Sequence, residues 1–185
     1  VWSERQRAFY PVVGSAGETS RSGVFVVGDG AGISGSKTAE YSGVIAGMTI
    51  LEKLDYIKES QRDIIVEEKK FRRFLDEGIR PFLDTLFPAP TNIEAISNKT
   101  IICRCEEITA GEIRDVVKKG CSGPNQAKAF LRCGMGVCQG RMCGASVTEV
   151  MSQAMGKTPS DVGTYRIRPP LKPLSLDEIA TLNES

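Results

Sequence analysis

Cys103-Arg-Cys105 and Cys138-Gln-Gly-Arg-Met-Cys143 frame the stretch that decides how this chain is read. Cys121 and Cys133 lie between them, so residues 103–143 hold all 6 cysteines of a 185-residue sequence. Thiols that merely fill a core scatter along a chain. Gathered in one segment, they point to metal binding or redox chemistry. Two close pairs, one on each of two loops, form a four-thiolate layout, and soft thiolates select zinc or iron–sulfur clusters. Zinc sites favour two to four residues inside each pair, and Cys103-x-Cys105 is tighter than that.

Composition narrows the choices. There is no histidine, which removes histidine-ligated zinc, Rieske centres, histidine-held haem and histidine-based catalytic triads. The net charge of +1 argues for neither nucleic acid nor an acidic partner. No apolar run is long enough to span a bilayer and no secretory signal is visible, so a cytoplasmic location is expected and a disulfide framework is a poor account of the thiols. The chain starts at Val1 rather than at a methionine, and it reads as the C-terminal piece of something longer.

Three short helices are expected around the cysteines. Thr109 and Glu112 form a capping box ahead of Ile113, Val116 and Val117, with a stop at Gly120. Ser122-Gly-Pro-Asn125 turns into a second helix, roughly residues 126–132, which Gly134-Met-Gly136 breaks. A third starts near Cys143 and carries Val147, Val150, Met151 and Met155 as far as Gly156. The tail from Tyr165 contains Pro169, Pro170 and Pro173, so its first half should be extended. Its apolar residues Leu171, Leu174, Leu176, Ile179 and Leu182 are too few for a core of their own.

Upstream, Val24-Phe25-Val26-Val27 is a short β-branched run between Gly23 and Gly28, the pattern of a buried parallel strand. A glycine-rich loop, Gly28-Asp29-Gly30-Ala31-Gly32-Ile33-Ser34-Gly35, follows it and leads into a helix over about 36–54. Strand, glycine loop and helix place backbone N–H groups beside a bound anion. The phosphate-loop pattern of nucleotide hydrolases is one residue out of register, because Ser36 stands between Gly35 and Lys37-Thr38. Gly30-Ala31-Gly32-Ile33-Ser34-Gly35 matches the dinucleotide fingerprint, but the acidic residue that should follow about 20 positions on has only Ile64-Ile65-Val66-Glu67 as a candidate. A plain turn with no ligand is the remaining alternative. Farther on, Ile64, Phe71, Leu75, Ile79, Phe82 and Leu86 recur at helical steps, giving an amphipathic region bent or restarted at Pro81, then a linker at Pro88-Ala-Pro90-Thr-Asn.

Thr19-Ser-Arg-Ser-Gly-Val-Phe-Val-Val-Gly28-Asp29 resembles the second flavin-binding motif of the glutathione-reductase-like flavoproteins. The resemblance implies that Asp29 holds the ribityl chain of FAD, with Gly28 and Gly30 letting the backbone come close. Only part of such a site is present, since the family's first glycine fingerprint is missing. Cys103-Arg-Cys105-Glu-Glu-Ile-Thr109, followed by Gly134-Met-Gly-Val-Cys138-Gln-Gly-Arg-Met-Cys143-Gly, resembles the bacterioferritin-associated-ferredoxin-like [2Fe–2S] domain. The matching version occurs in FAD-containing subunits of opine oxidases, hydrogen cyanide synthase and dye-linked proline or hydroxyproline dehydrogenases.

By that resemblance the cluster ligands are Cys103, Cys105, Cys138 and Cys143. The symmetric spacing Cys133-x4-Cys138-x4-Cys143 keeps Cys133 as an alternative to Cys143. Cys143 is preferred because a helix start offers free N–H groups to an anionic cluster, and Cys121 and Cys133 are read as packed thiols. Arg132 and Arg141 flank the ligands, either as solvated surface or as screens for cluster charge. The fold class expected is an α+β fragment: the C-terminal strand–loop–helix piece of a two-dinucleotide-domain flavoprotein (1–55), a helical connector (56–98), a small all-α [2Fe–2S] domain (99–160) and an extended tail (161–185). The implied function is oxidation of an amine, amino acid or imino acid, with electrons relayed from flavin through the cluster. Implied partners are an electron acceptor, the remainder of the flavoprotein and a second flavin-containing subunit. No residue reads as a catalytic base. The rival reading is a zinc- or cluster-stabilised binding or assembly module without catalysis.

Overall fold

Trp2–Ser3 (β1) and Ala8–Phe9 (β2) pair antiparallel, and the Trp2 and Phe9 rings meet edge to face at 5.0 Å. The hairpin carries Gln6, whose amide reaches the glycine loop. Gln6 Nε2 donates to the Ile33 carbonyl at 2.8 Å, and Gln6 Oε1 accepts from the Ile33 N–H at 3.1 Å. The structure is a computed structural model that describes residues 1–89, 96–170 and 173–181. It divides into two units, Val1–Ala89 and Pro90–Ser185.

In the first unit, Val24–Val27 does not form the expected buried strand. Phe25 makes one isolated antiparallel bridge to Glu18, and Val24 is 47% exposed. A buried parallel strand needs neighbours on both sides. Here the neighbouring segment is residues 17–19, which gives only the bonds Val26 N–H to Gly17 O and Thr19 N–H to Val24 O, each 2.8 Å. The pattern was right about apolarity, but the sheet that would use it is not among the described residues. Residues 28–31 then wind one 3-10 turn, and α1 spans Ser36–Lys53.

Helix α2, Glu59–Glu77, packs along α1, with Val66 buried on that side and Ile45 and Ala46 buried from α1. The chain breaks at Gly78-Ile79 and restarts as α3, Arg80–Leu86, with Pro81 at its second position, where no N–H is missed. The apolar side of this amphipathic region is left uncovered in the first unit. Ile64, Phe71, Leu75, Ile79, Phe82 and Leu86, with Phe74 and Phe87, are exposed in this unit. Such a contiguous apolar face marks a contact surface rather than a solvated one.

The second unit is not all helical. Ile101–Cys103 (β3) pairs antiparallel with Ile108–Thr109 (β4), and the intervening turn carries Cys105. The short run Ile101-Ile102-Cys103 alone gave no hairpin signal, because its turn, Arg104 to Glu107, contains no glycine. Glu107 takes the left-handed conformation instead, at φ 54°. Helices α4 (Ala110–Lys118), α5 (Pro124–Leu131), α6 (Gly144–Met155) and α7 (Pro159–Val162) follow. The Thr109–Glu112 capping box is formed, and Gly156 ends α6 in a left-handed turn.

Ile113, Val116, Ala127, Val147, Val150 and Met151 make the core, closed by Cys103, Cys121, Cys133, Cys143 and Tyr165. Beyond α7 the chain has no regular structure as far as Pro170, as the prolines require, and a short α8 covers Leu176–Ala180. Leu176 and Ile179 are exposed. The linker residues 90–92 and the tail residues Leu171 and Leu182 lie outside the described residues.

Candidate cofactor sites

The Cys138 loop is shaped by consecutive left-handed residues. Gln139 and Gly140 have φ of 51° and 79°, which turns the chain tightly after Cys138. The Arg141 N–H is hydrogen-bonded to the Cys138 carbonyl at 3.0 Å, and the amides of Met142, Gly140 and Arg141 all act on the Cys138 thiol. Led by the Met142 amide, they hold its thiol below the ordinary cysteine range despite burial. Amide donors are thus a leading influence on Cys138. Cys143 sits at the N-cap of α6, where burial first, and neighbouring Cys103 next, push its thiol up to about 12.

Of the four expected ligands, Cys103 and Cys143 are buried in one core cluster, and Cys105 and Cys138 lie close enough to influence each other's titration, as do Cys103 and Cys143. Cys105 also feels Cys103, and Cys143 feels Cys138. At Cys105 the Cys138 amide lowers the thiol pKa, but the Cys138 side chain and burial outweigh it and the net shift is upward. Cys133 is fully buried beside Cys103, Cys121 and Tyr165, and burial raises its thiol. All six are free thiols. Among the described residues, no three histidine, cysteine or carboxylate side chains are grouped as ligands around a single metal ion.

Two features around the thiols are specific. Gly136 packs so close that a Cβ there would lie 2.3 Å from the Cys105 Cβ. Tyr165, 5% exposed, fills a slot left by Gly134 and Gly140, where added Cβ atoms would come within 2.7 and 2.8 Å of its ring. Its hydroxyl is buried with no hydrogen bond of good geometry, yet it lies beside the sulfurs of Cys133 and Cys143. Burial, then Cys133, drives its pKa upward. A buried hydroxyl facing sulfurs without an adequate acceptor fits a site in which those sulfurs carry more negative charge than thiols do. Lone in a proline-rich tail, Tyr165 carried no sequence signal for this role.

Arg132 Nε bonds Glu106 Oε2 at 3.0 Å, tying the Cys105 turn to the end of α5, and Arg141 Nη1 donates to the Cys138 carbonyl at 3.4 Å. Both arginines therefore fasten the cysteine-bearing loops.

In the first unit, Gly28 and Asp29 line a cavity of about 190 Å3 with Gly32, Gly35 and Thr38. Gly28 has φ 64°, and a Cβ there would press on Ala39 at 3.3 Å, so the glycine also lets α1 approach. Gly30 faces Val26 and is not part of the lining. Thr38, in the first turn of α1, was not singled out by the sequence. Its hydroxyl is buried without a partner in a cavity that also faces the α1 N-terminus, which favours an acceptor-bearing ligand.

Residues 97–182 match the family model of the sarcosine oxidase A3 domain. The chain is 46% identical over 184 residues to an opine oxidase subunit of Rhizobium meliloti, covering 98% of this chain and 35% of that protein. It is 30% identical to the hydrogen cyanide synthase subunit HcnB of Pseudomonas aeruginosa, covering 89% of this chain and 35% of that one. The crystal structure of L-proline dehydrogenase from P. horikoshii superposes with a TM-score of 0.67 at 22% identity, over 91% of this chain and 32% of that chain, a likeness of fold. The chain spans about a third of the length of the curated relatives it matches. Among the described residues, no helix is long and apolar enough to cross a membrane. Over nearly its whole length the chain is thus similar to an opine oxidase subunit, and its cysteine-bearing half carries the match to the sarcosine oxidase A3 domain.

Proposed function

We propose that this chain is part of a flavin- and [2Fe–2S]-dependent oxidoreductase acting on an amine, amino acid or imino acid. The observation that carries the proposal is the gathering of the two cysteine segments: Cys103 and Cys143 lie buried in one core cluster, and Gly136 of the Cys138 loop packs directly against Cys105. The similarity to the opine oxidase subunit supports the substrate class. When bound, the flavin supplies two-electron oxidation of carbon beside nitrogen, and the cluster supplies one-electron acceptance.

The chain's own residues do the holding. Cys103, Cys105, Cys138 and Cys143 ligate the cluster, and amides of the Cys138 loop stabilise ligand charge. Tyr165 donates its hydroxyl hydrogen to a ligand sulfur. In the first unit Gly28 and Asp29 form one wall of the flavin site, Gly30 keeps the loop backbone close behind it, Thr38 Oγ1 supplies a buried polar contact, and the α1 amides favour negative charge. The exposed apolar face of α2 and α3 meets the remainder of the flavoprotein or another subunit. No side chain here is assigned to proton abstraction, so substrate chemistry belongs outside this chain.

The test is the visible spectrum of anaerobically purified protein, with iron, zinc and acid-labile sulfide assayed on the same sample. Brown protein with about two irons and two sulfides per chain is expected. Colourless, zinc-bearing protein that stays so after anaerobic reconstitution overturns the relay reading in favour of a structural metal module.

A further inference from the structure

Lys128, Arg141, Arg166 and Arg168 line a single cavity of about 370 Å3 in the second unit, with Asn125 and Gln139, and among the described residues no carboxylate lines it. Elsewhere the chain pairs its cations closely, as Arg62 does with Glu52, Glu59 and Asp63, and Arg80 with Asp84. Lys128, Arg166 and Arg168 have no ion pair with a carboxylate among the described residues. Cations crowded round one concavity repel each other, and an anion of more than one charge relieves them.

The walls are fixed by other bonds. Asn125 Oδ1 accepts from the Arg166 N–H at 2.7 Å, and its Nδ2 donates to the Thr164 carbonyl at 3.1 Å. Gln139 Nε2 donates to the Gly136 carbonyl at 3.0 Å. Lys128 Nζ stands 4.8 Å over the Tyr165 ring, which places its charge at the cavity. The rest of the lining is Gly134 and the apolar Ala129, Met135 and Ile167. The volume falls in the range of small-molecule sites, about 300–1,000 Å3.

We propose that this cavity binds a small phosphate-bearing organic molecule. Its phosphate lies against the arginine forks, whose planar donors match phosphate oxygens, and its body lies on Ala129, Met135 and Ile167. The site shares no residue with the flavin wall, and it stands whether or not the cysteines hold a cluster.

The test is calorimetric titration of the full chain with inorganic pyrophosphate, adenosine 5′-monophosphate and adenosine. Expected are saturable one-to-one binding of both phosphate probes, weaker at higher salt, and no binding of adenosine. R166Q/R168Q weakens binding by about tenfold or more, K128Q weakens it too, and R72Q on α2 leaves it unchanged. Arg166 and Arg168 are exposed, and unchanged thermal melting of each variant confirms that it is folded. Absence of saturable binding by either phosphate probe overturns the proposal, as does an equal loss with R72Q. Binding of poly-glutamate without binding of pyrophosphate also overturns it, and assigns the patch to an acidic protein surface.

Discussion

Tyr165 occupies a slot that exists because Gly134 and Gly140 have no side chains. Its unpartnered hydroxyl costs about 1–3 kcal/mol unless a sulfur of sufficient charge accepts it. In metal-free protein Tyr165→Phe is therefore neutral or stabilising, read by urea unfolding. In cluster-loaded protein it lowers the midpoint potential by tens of millivolts, since a hydrogen bond to a ligand sulfur favours the reduced form and about 59 mV corresponds to a tenfold change for one electron. An unchanged potential would show that the hydroxyl merely fills space. Gly136→Ala sets a Cβ 2.3 Å from that of Cys105. It should destabilise the second unit by about 1–3 kcal/mol, the range for overpacking, and reduce the iron retained per chain.

At the scale of elements, α4 is fixed by its cap. Thr109 Oγ1 accepts from the Glu112 N–H at 3.3 Å, and Glu112 Oε2 accepts from the Thr109 N–H at 2.8 Å. Thr109→Ala should cost about 1 kcal/mol in denaturant unfolding. The Thr109 amide holds the Glu112 carboxyl below its usual 4.5. In that window the unfolded chain binds more protons than the folded one, so stability rises with pH there. The contribution is present above about pH 4.5 and is lost as pH falls through the lowered folded value. Glu112→Gln should flatten that acid limb of the melting profile. In the first unit, Gln6 bonds both the N–H and the carbonyl of Ile33, as a neighbouring strand would. Gln6→Ala should speed amide exchange at residues 28–35 before it changes the melting of α1.

For the whole molecule, the exposed face of α2 and α3 separates stability from association. Phe74 is 73% exposed, so Phe74→Glu should change the unfolding free energy by less than about 0.5 kcal/mol. The same change should reduce self-association and binding of hydrophobic dyes, both measured on the purified chain. A large loss of stability instead would mean that the first unit buries this face after all. The chain spans about a third of its curated relatives, and a face of this kind is the expected consequence when an apolar helix pattern has no partner within its own unit.

The sequence by itself determined the elements whose cause is local. The capping box at Thr109, the stop at Gly156 and the break between α2 and α3 were all legible, because caps, glycines and prolines act over a few residues. The gathering of cysteines into one segment was equally plain. Tertiary structure decided what depends on distant neighbours. Val24–Val27 lacks the flanking strands that its pattern anticipates. The apolar residues of α2 face outward because the packing on α1 uses Val66. Which amides act on the Cys138 thiol followed from the left-handed turn at Gln139-Gly140, and Tyr165 came to the thiols only once the tail had folded back over the core. Periodicity records that a side chain seeks cover, but the identity of that cover lies in contacts the linear order does not contain.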